Sequence, residues 1–186
     1  ASRYTNLVIE LVPLPRSFSL SRREADLAIG LDRPAHGRLI LSKLSDYSLG
    51  LYAAKAYLDR VGMPESVADL AGHSAVIGVD DYAYASALDY TAFLQDRVAR
   101  VFRCVGAVAQ LEAVRAGAGI GILHDFAAAD LPDLVRLLPE TAFRRSYWLM
   151  SHPDDHGSRR ISACRDFLTR RFREERDRFL PKPEVP

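Results

Sequence analysis

The amino-acid sequence predicts an α/β fold with largely parallel strands. Three observations carry that prediction. Short apolar or β-branched runs alternate with segments of helical periodicity along the 186 residues. The run Asp26-Leu27-Ala28-Ile29-Gly30 is almost wholly apolar, as strands buried on both faces of a parallel sheet are. Val108 to Ala116 places Val108, Leu111 and Val114 on one helical face, and Gly117 stands where a C′ glycine ends a helix.

The elements follow in order. Leu7 to Val12 is β-branched and bounded by Asn6 and Pro13, which predicts a strand. Pro13 and Pro15 force a loop, and Ser17 to Arg23 can form a short helix capped by Ser17 or Ser19. Asp26 to Gly30 is the second strand, and Asp32-Arg33-Pro34 with His36-Gly37 marks a surface loop. Arg38 to Leu44 and Tyr47 to Ala53 read as two further strands. Lys55 to Val61 is a helix ended by Gly62, and Ser66 to Ala71 a short one ended by Gly72. Ala75 to Val79 is a strand, Tyr82 to Tyr90 a loop, Thr91 to Arg97 a helix and Ala99 to Cys104 a strand. Beyond the helix at Val108 come a strand from Gly119 to Leu123 and a short helix from Asp125 to Ala129. Strands follow at Leu134 to Leu138 and at Ser146 to Met150. The last element, Ser158 to about Arg178, carries Ile161, Cys164, Leu168, Phe172 and Phe179 as an apolar stripe. The tail from Pro181 to Pro186 is expected to be extended.

Composition narrows the function classes. Apolar residues make up 48% and charged residues 26%, as in soluble globular chains. No apolar run approaches the roughly 18 residues needed to span a bilayer, and no secretion signal is visible. A formal net charge of +1 gives no strong case for nucleic-acid binding by this segment. Cys104 and Cys164 are the only cysteines, with no CxxC, so neither a zinc site, a redox pair nor a disulfide framework is suggested. A cytoplasmic location fits that usage. GxSxG, Walker A and HExxH are all absent.

Five stretches, in order and spacing, resemble the effector-binding domain of LysR-type bacterial transcriptional regulators. They are Arg23-Glu24-Ala25-Asp26-Leu27-Ala28-Ile29-Gly30, Leu49-Gly50-Leu51-Tyr52-Ala53 with Ala56-Tyr57-Leu58 and Gly62-Met63-Pro64, and Ser66 to His73 with Val76-Ile77-Gly78. The most specific is Gln110 to Leu123, and the last is Leu134 to Pro139 with Tyr147 to Pro153. The resemblance implies a type II periplasmic-binding-protein-like fold. Two α/β lobes would be joined by two crossover segments around a small-molecule cleft. Lobe I would be residues 1–49 plus 150–186, and lobe II residues 50–149. It further implies homodimers or homotetramers, with DNA bound only through a winged helix-turn-helix absent from this chain. The family's first strand and helix also have no counterpart before Leu7, so the chain is expected to be a fragment or a partial listing of its protein.

Candidate effector-binding residues are the loops facing the inferred cleft. Pro13 and Leu14 follow the first strand, Leu31 and Asp32 the second, and Asp80 with Asp81 the strand from Ala75. Val105, Gly106 and Ala107 lead into the helix at Val108, whose first N–H groups suit a carboxylate or other anion. The cleft should lie where these three residues meet the turn after Ile29. The bland reading of all these positions is loop geometry. His124 stands where the family usually has proline. Beside Asp125 it can form a pair responsive near neutral pH, or simply a half-buried cap of the next helix. His152-Pro153-Asp154-Asp155-His156 mimics a metal-ligand cluster but falls in a turn where Asp and Pro are expected, so no metal and no cofactor is assigned. The eight arginines from Arg159 to Arg178 are interspersed with acids, which favours a solvated face or a subunit contact over DNA phosphate.

The function expected from these readings is effector sensing without chemistry: a metabolite bound between lobes would control DNA binding by the intact regulator. The alternative is a solute-binding protein of similar fold serving transport. An enzyme would require a nucleophile and a base within hydrogen-bond reach, and the sequence offers no such pair.

Overall fold

The computed structural model describes residues 7–13, 25–31, 33–34, 38–79 and 90–180. The strands are β1 (Leu27–Gly30), β2 (Ile40–Ala54), β3 (Ser74–Ile77), β4 (Arg100–Arg103), β5 (Ile120–His124) and β6 (Leu134–Ser151). The helices are α1 (Lys55–Val61), α2 (Tyr90–Gln95), α3 (Ala107–Arg115), α4 (Asp125–Ala128), α5 (Pro153–His156), α6 (Arg159–Glu174) and α7 (Arg176–Phe179), with a 3₁₀ turn at Val67–Gly72.

The strands form one sheet in the order β1-β6-β2-β5-β3-β4. The expectation of largely parallel strands is corrected. Among the described residues only β3 pairs in parallel, with β4 and β5, while β1–β6, β6–β2 and β2–β5 are antiparallel. The reason lies in β2 and β6, of 15 and 18 residues. Each is one continuous strand where the sequence suggested two. Residues 139–145 looked loop-like because Pro139, Glu140 and the two arginines break the apolar pattern. Pro139 is tolerated because Gly50 faces Ala142 while Leu51 faces Leu137, so residues 138–141 bulge out unpaired with β2. Leu138, inside that bulge, has φ 44° although it is buried. A second slip leaves Leu44 without a partner, between Lys43↔Trp148 and Ser45↔Tyr147.

Two sequence-predicted strands are placed differently. Leu7 to Val12 has no regular structure, and Val8 and Leu11 are 92% and 89% exposed. A strand needs a neighbour to pair its main-chain groups, and among the described residues none lies beside it. Among the described residues β1 is an edge strand rather than a central one: Ala28 is buried, but Ile29 is 42% exposed. An apolar run alone does not distinguish the two. The helix predicted over Ser17 to Arg23 lies outside the described residues, as does the loop predicted over Tyr82 to Tyr90 except for Tyr90, which opens α2.

Local chemistry ends α3 as its glycine predicts. Gly117 adopts φ 79°, its N–H bonds to Val114 O, and Ala118 N–H reaches back to Ala113 O. This is a Schellman closure, which satisfies two otherwise orphaned carbonyls. Val114 is fully buried against β5, where a Cβ on Gly121 would lie 2.5 Å from its methyl group. The main core surrounds Tyr47, Leu49, Leu51, Leu70, Leu94, Ile120 and Leu137, drawing on both ends of the β2–β6 pair.

Strand directions set the functional geometry. β1 runs with β2, and its end Gly30 sits opposite Trp148, at the level of Lys43. β5, β3 and β4 run the opposite way, and the β5 end, His124, sits opposite Leu49. Between those levels, residues 44–48 of β2 and 144–147 of β6 have no strand partner but each other among the described residues. Both groups of strands thus point their carboxyl ends at a bare two-stranded ribbon, where open α/β sheets bind ligands.

Candidate functional site

The carboxyl ends of β4, β3 and β5 lie on one rim. Cys104, Val105 and Gly106 leave β4 there; Gly78 and Val79 leave β3; His124 closes β5. Gly106 is the N-cap of α3 with φ 87°, and the first intrahelical bond runs from Gln110 N–H to Gly106 O. The N–H groups of Ala107, Val108 and Ala109 therefore have no helical acceptor, and together with the helix dipole they favour an anion. Val105 and Val108 are 40% and 75% exposed beside them, so an apolar flank accompanies those donors.

Of the remaining candidates, Leu31 is half-buried and packs on the main core. Pro13 is exposed in the irregular segment. Leu14, Asp32, Asp80 and Asp81 lie outside the described residues. In the strand order, Val105–Ala107 and the turn after Ile29 stand on opposite flanks of the sheet. β1 and β4 are the two outermost strands, with four between them. Val105, Gly106 and Ala107 share the rim with His124, whereas Leu31 approaches the ribbon from the other flank.

His124 is the N-cap residue of α4, as the sequence allowed, but its ring makes no capping hydrogen bond. It stacks on Tyr47 at 5.2 Å and meets the edge of Phe126 at 5.3 Å. Burial pushes its pKa down to about 4, and the neighbouring Asp125 only partly opposes this. The imidazole is therefore neutral at physiological pH, and the reading of it as a near-neutral switch is corrected. Tyr47 also stacks on Tyr147 at 4.2 Å, and Phe172 and Phe179 close the cluster from α6 and α7.

A buried polar group that sequence reasoning missed lies beside it. Asp125 Oδ1 accepts from Tyr52 Oη at 2.8 Å and from Arg136 Nη1 at 2.7 Å. Three chain segments, β2, α4 and β6, thus converge on one carboxylate oxygen. Burial and the carboxylate together push the Tyr52 hydroxyl well above its ordinary pKa, so it remains a donor. Gly50 makes room: a Cβ there would lie 2.9 Å from Arg136 Cζ. No local spacing rule links positions 52, 125 and 136, so only the fold reveals the group.

One nucleophile–base pair does occur. Ser151 Oγ lies 2.9 Å from His156 Nδ1, and Arg165 Nη1 lies 2.8 Å from Nε2. A guanidinium only donates, so Nε2 accepts and the ring proton sits on Nδ1. In that tautomer His156 donates to Ser151 and cannot take its proton. His152 is turned to Asp154 instead, with its Nδ1 accepting from the Asp154 N–H. Among the described residues no three His, Cys, Asp or Glu side chains are placed to share a metal ion, and no helix is long and apolar enough to cross a membrane. On α6 the acids take up arginines, Arg171 pairing with Glu174 and Glu175 at 2.9 and 2.8 Å.

A family model described as the LysR substrate binding domain matches residues 1–173. The chain belongs to the LysR substrate-binding-domain family. Its fold is accordingly the type II periplasmic-binding-protein-like fold, here with a mixed sheet. The regulatory domain of CrgA, a LysR-type transcriptional regulator from Neisseria meningitidis, is 20% identical, with a TM-score of 0.70 over 82% of this chain and 78% of that one. Full-length AphB, a virulence activator of Vibrio cholerae, is 16% identical, with a TM-score of 0.68 over 92% and 60%. The CcmR regulatory domain of Synechocystis PCC6803, solved in complex with 2-PG, is 18% identical, with a TM-score of 0.63 over 82% and 76%. This chain therefore spans 60% of the length of full-length AphB. No curated protein matches the sequence.

Proposed function

We propose that the chain is the effector-sensing part of a LysR-type transcriptional regulator. A small metabolite binds at the two-stranded ribbon between lobe I, residues 1–49 plus 150–186, and lobe II, residues 50–149. The supporting observation is the opposed approach of strand ends: Gly30 at the level of Lys43 and His124 at the level of Leu49, with bare ribbon between. The register slip between Gly50 and Leu51 falls at the same division. Main-chain donors at Gly106 and Ala107 hold an anionic group of the ligand. Val105 offers apolar contact, and Leu31 approaches from lobe I.

The ligand acts by differential affinity. An arrangement of lobes that it binds better gains population, and the shift alters the geometry of a homodimer or homotetramer. The intact protein reads operator DNA through a separate domain and works in the cytoplasm. No bond is made or broken in this region.

A thermal-shift screen of organic acids, amino acids and aromatic metabolites tests the reading, because a ligand of the folded state raises the melting temperature by mass action. At least one compound should give a saturable shift that Gly106→Val weakens about tenfold. A flat response across the panel would overturn it.

A further inference from the structure

A cavity of about 330 Å³ lies on the ribbon and contains none of the effector residues proposed above. One side is residues 43–46 of β2; the other is Thr169, Phe172, Arg173 and Arg176 of α6 and α7. We propose that it is a separate binding site for a small oxyanion, a carboxylate or phosphate compound gripped by Lys43, Arg173 and Arg176.

The sequence builds this cavity from two local features. Residues 169, 172, 173 and 176 recur at helical spacing and so present one stripe toward β2. The unpaired Leu44 is a β-bulge, which re-aims the side chains on either side of it, and Lys43 and Ser45 both line the cavity. The volume is at the small end of the range of about 300–1,000 Å³ usual for ligand sites.

Charge decides the ligand class. Three cations line the cavity, and the one carboxylate, Asp46, is engaged by Lys43, which leaves the two arginines as the excess positive charge. Lys43 Nζ lies 2.6 Å from Asp46 Oδ1, and the Ser146 hydroxyl donates to the same oxygen. These contacts hold the Asp46 carboxyl below its usual pKa, so its charge is satisfied locally. The arginines of the helix are sorted. Arg170 and Arg171 pair with Glu174 and Glu175, whereas the side chains of Arg173 and Arg176 form no ion pair or hydrogen bond with any described residue. Guanidinium groups match oxyanion geometry with forked donors. The Thr169 hydroxyl adds a donor, the Ser45 hydroxyl being given to the Asp46 main-chain carbonyl, and the Phe172 ring gives an apolar wall for the body of the ligand.

Calorimetric titration tests this, with inorganic phosphate and succinate as separate probes against chloride at matched ionic strength. Phosphate, succinate or both should bind saturably at one site per chain, and which of them binds identifies the head group. Arg173→Gln/Arg176→Gln should weaken binding at least tenfold, while Arg170→Gln/Arg171→Gln stays within twofold. Trp148, the cross-strand partner of Lys43, gives a second readout: its fluorescence should titrate with the same midpoint. Lys43→Gln, away from the helix, should also weaken binding should the double variant fold poorly. Gly106→Val should leave it intact, which separates this site from the effector site. Non-saturable heats with both anions, or wild-type affinity in Arg173→Gln/Arg176→Gln, would overturn the proposal.

Discussion

Arg136 Nη1 donates to Asp125 Oδ1 at 2.7 Å, and the Asp125 side chain is only 1% exposed. A carboxylate this deep needs its cation. Removing one partner of a buried pair typically costs about 3–5 kcal/mol. Arg136 is 31% exposed, so water can take over part of its role, and Arg136→Ala should cost about 2–3 kcal/mol. Replacing both as Asp125→Leu/Arg136→Met should cost less than the two single changes together. Urea denaturation of the four proteins measures this coupling, and strict additivity would refute it.

Gly50→Ala strikes the same group from the opposite strand. Its Cβ would lie 2.9 Å from Arg136 Cζ and 3.0 Å from Asp125 Oδ1. The guanidinium can retreat, but the carboxylate is held by Tyr52 as well. The substitution should destabilise by about 1–3 kcal/mol, as overpacking generally does. In an Asp125→Ala background the penalty should shrink, which chemical denaturation can resolve.

Stability should fall as the solution is acidified, in a window set by His124. Its folded pKa is depressed to about 4, from an unfolded value of 6.5. Between these values the unfolded chain binds a proton that the folded chain refuses. The stabilisation is therefore complete above pH 6.5 and is lost as pH falls toward 4, by about 2–3 kcal/mol in all. Burial depresses His73 in the same direction and adds to the slope. His124→Phe, which keeps a ring against Tyr47, should flatten the profile over this range, whereas an unchanged slope would count against a buried neutral imidazole.

Leu138 and Leu137 are adjacent and both buried, yet only Leu138 has φ 44°. That conformation strains a branched residue by about 1–2 kcal/mol, a penalty glycine avoids. Leu138→Gly should accordingly destabilise by about 1–2 kcal/mol less than Leu137→Gly. Thermal unfolding of the two variants provides the comparison, and equal losses would argue against the left-handed backbone.

What could be read from the sequence was what short-range chemistry determines. Gly117 ends α3 because a left-handed residue is needed at that spot, and the flanking pattern shows where. The rim residues Val105 to Ala107 were legible for the same reason, as a turn into a helix. Leu7 to Val12 misled because a strand is made by its neighbour as much as by its own residues. β1 was misassigned to the sheet interior because burial on one face and on two faces gives similar apolar runs over four residues. The ribbon half of β6 was hidden by Pro139 and Glu140, whose bulge only the pairing with β2 explains. The Tyr52–Asp125–Arg136 group joins segments whose proximity is set by topology alone.

The bare stretch of β2 and β6 has a mechanical consequence. Two-stranded ribbons twist more readily than wide sheets, and here the pairing slips at Leu44 and resumes at Ser45. In the proposed sensing role, any reorientation of the lobes would be absorbed as torsion along two stiff rods rather than as free swing about a floppy loop. Such an element resists like a spring and recoils when released, so the response of this protein should be a modest, well-defined rotation. Phe172 and Phe179, leaning on Tyr147 from outside, would act as its damper.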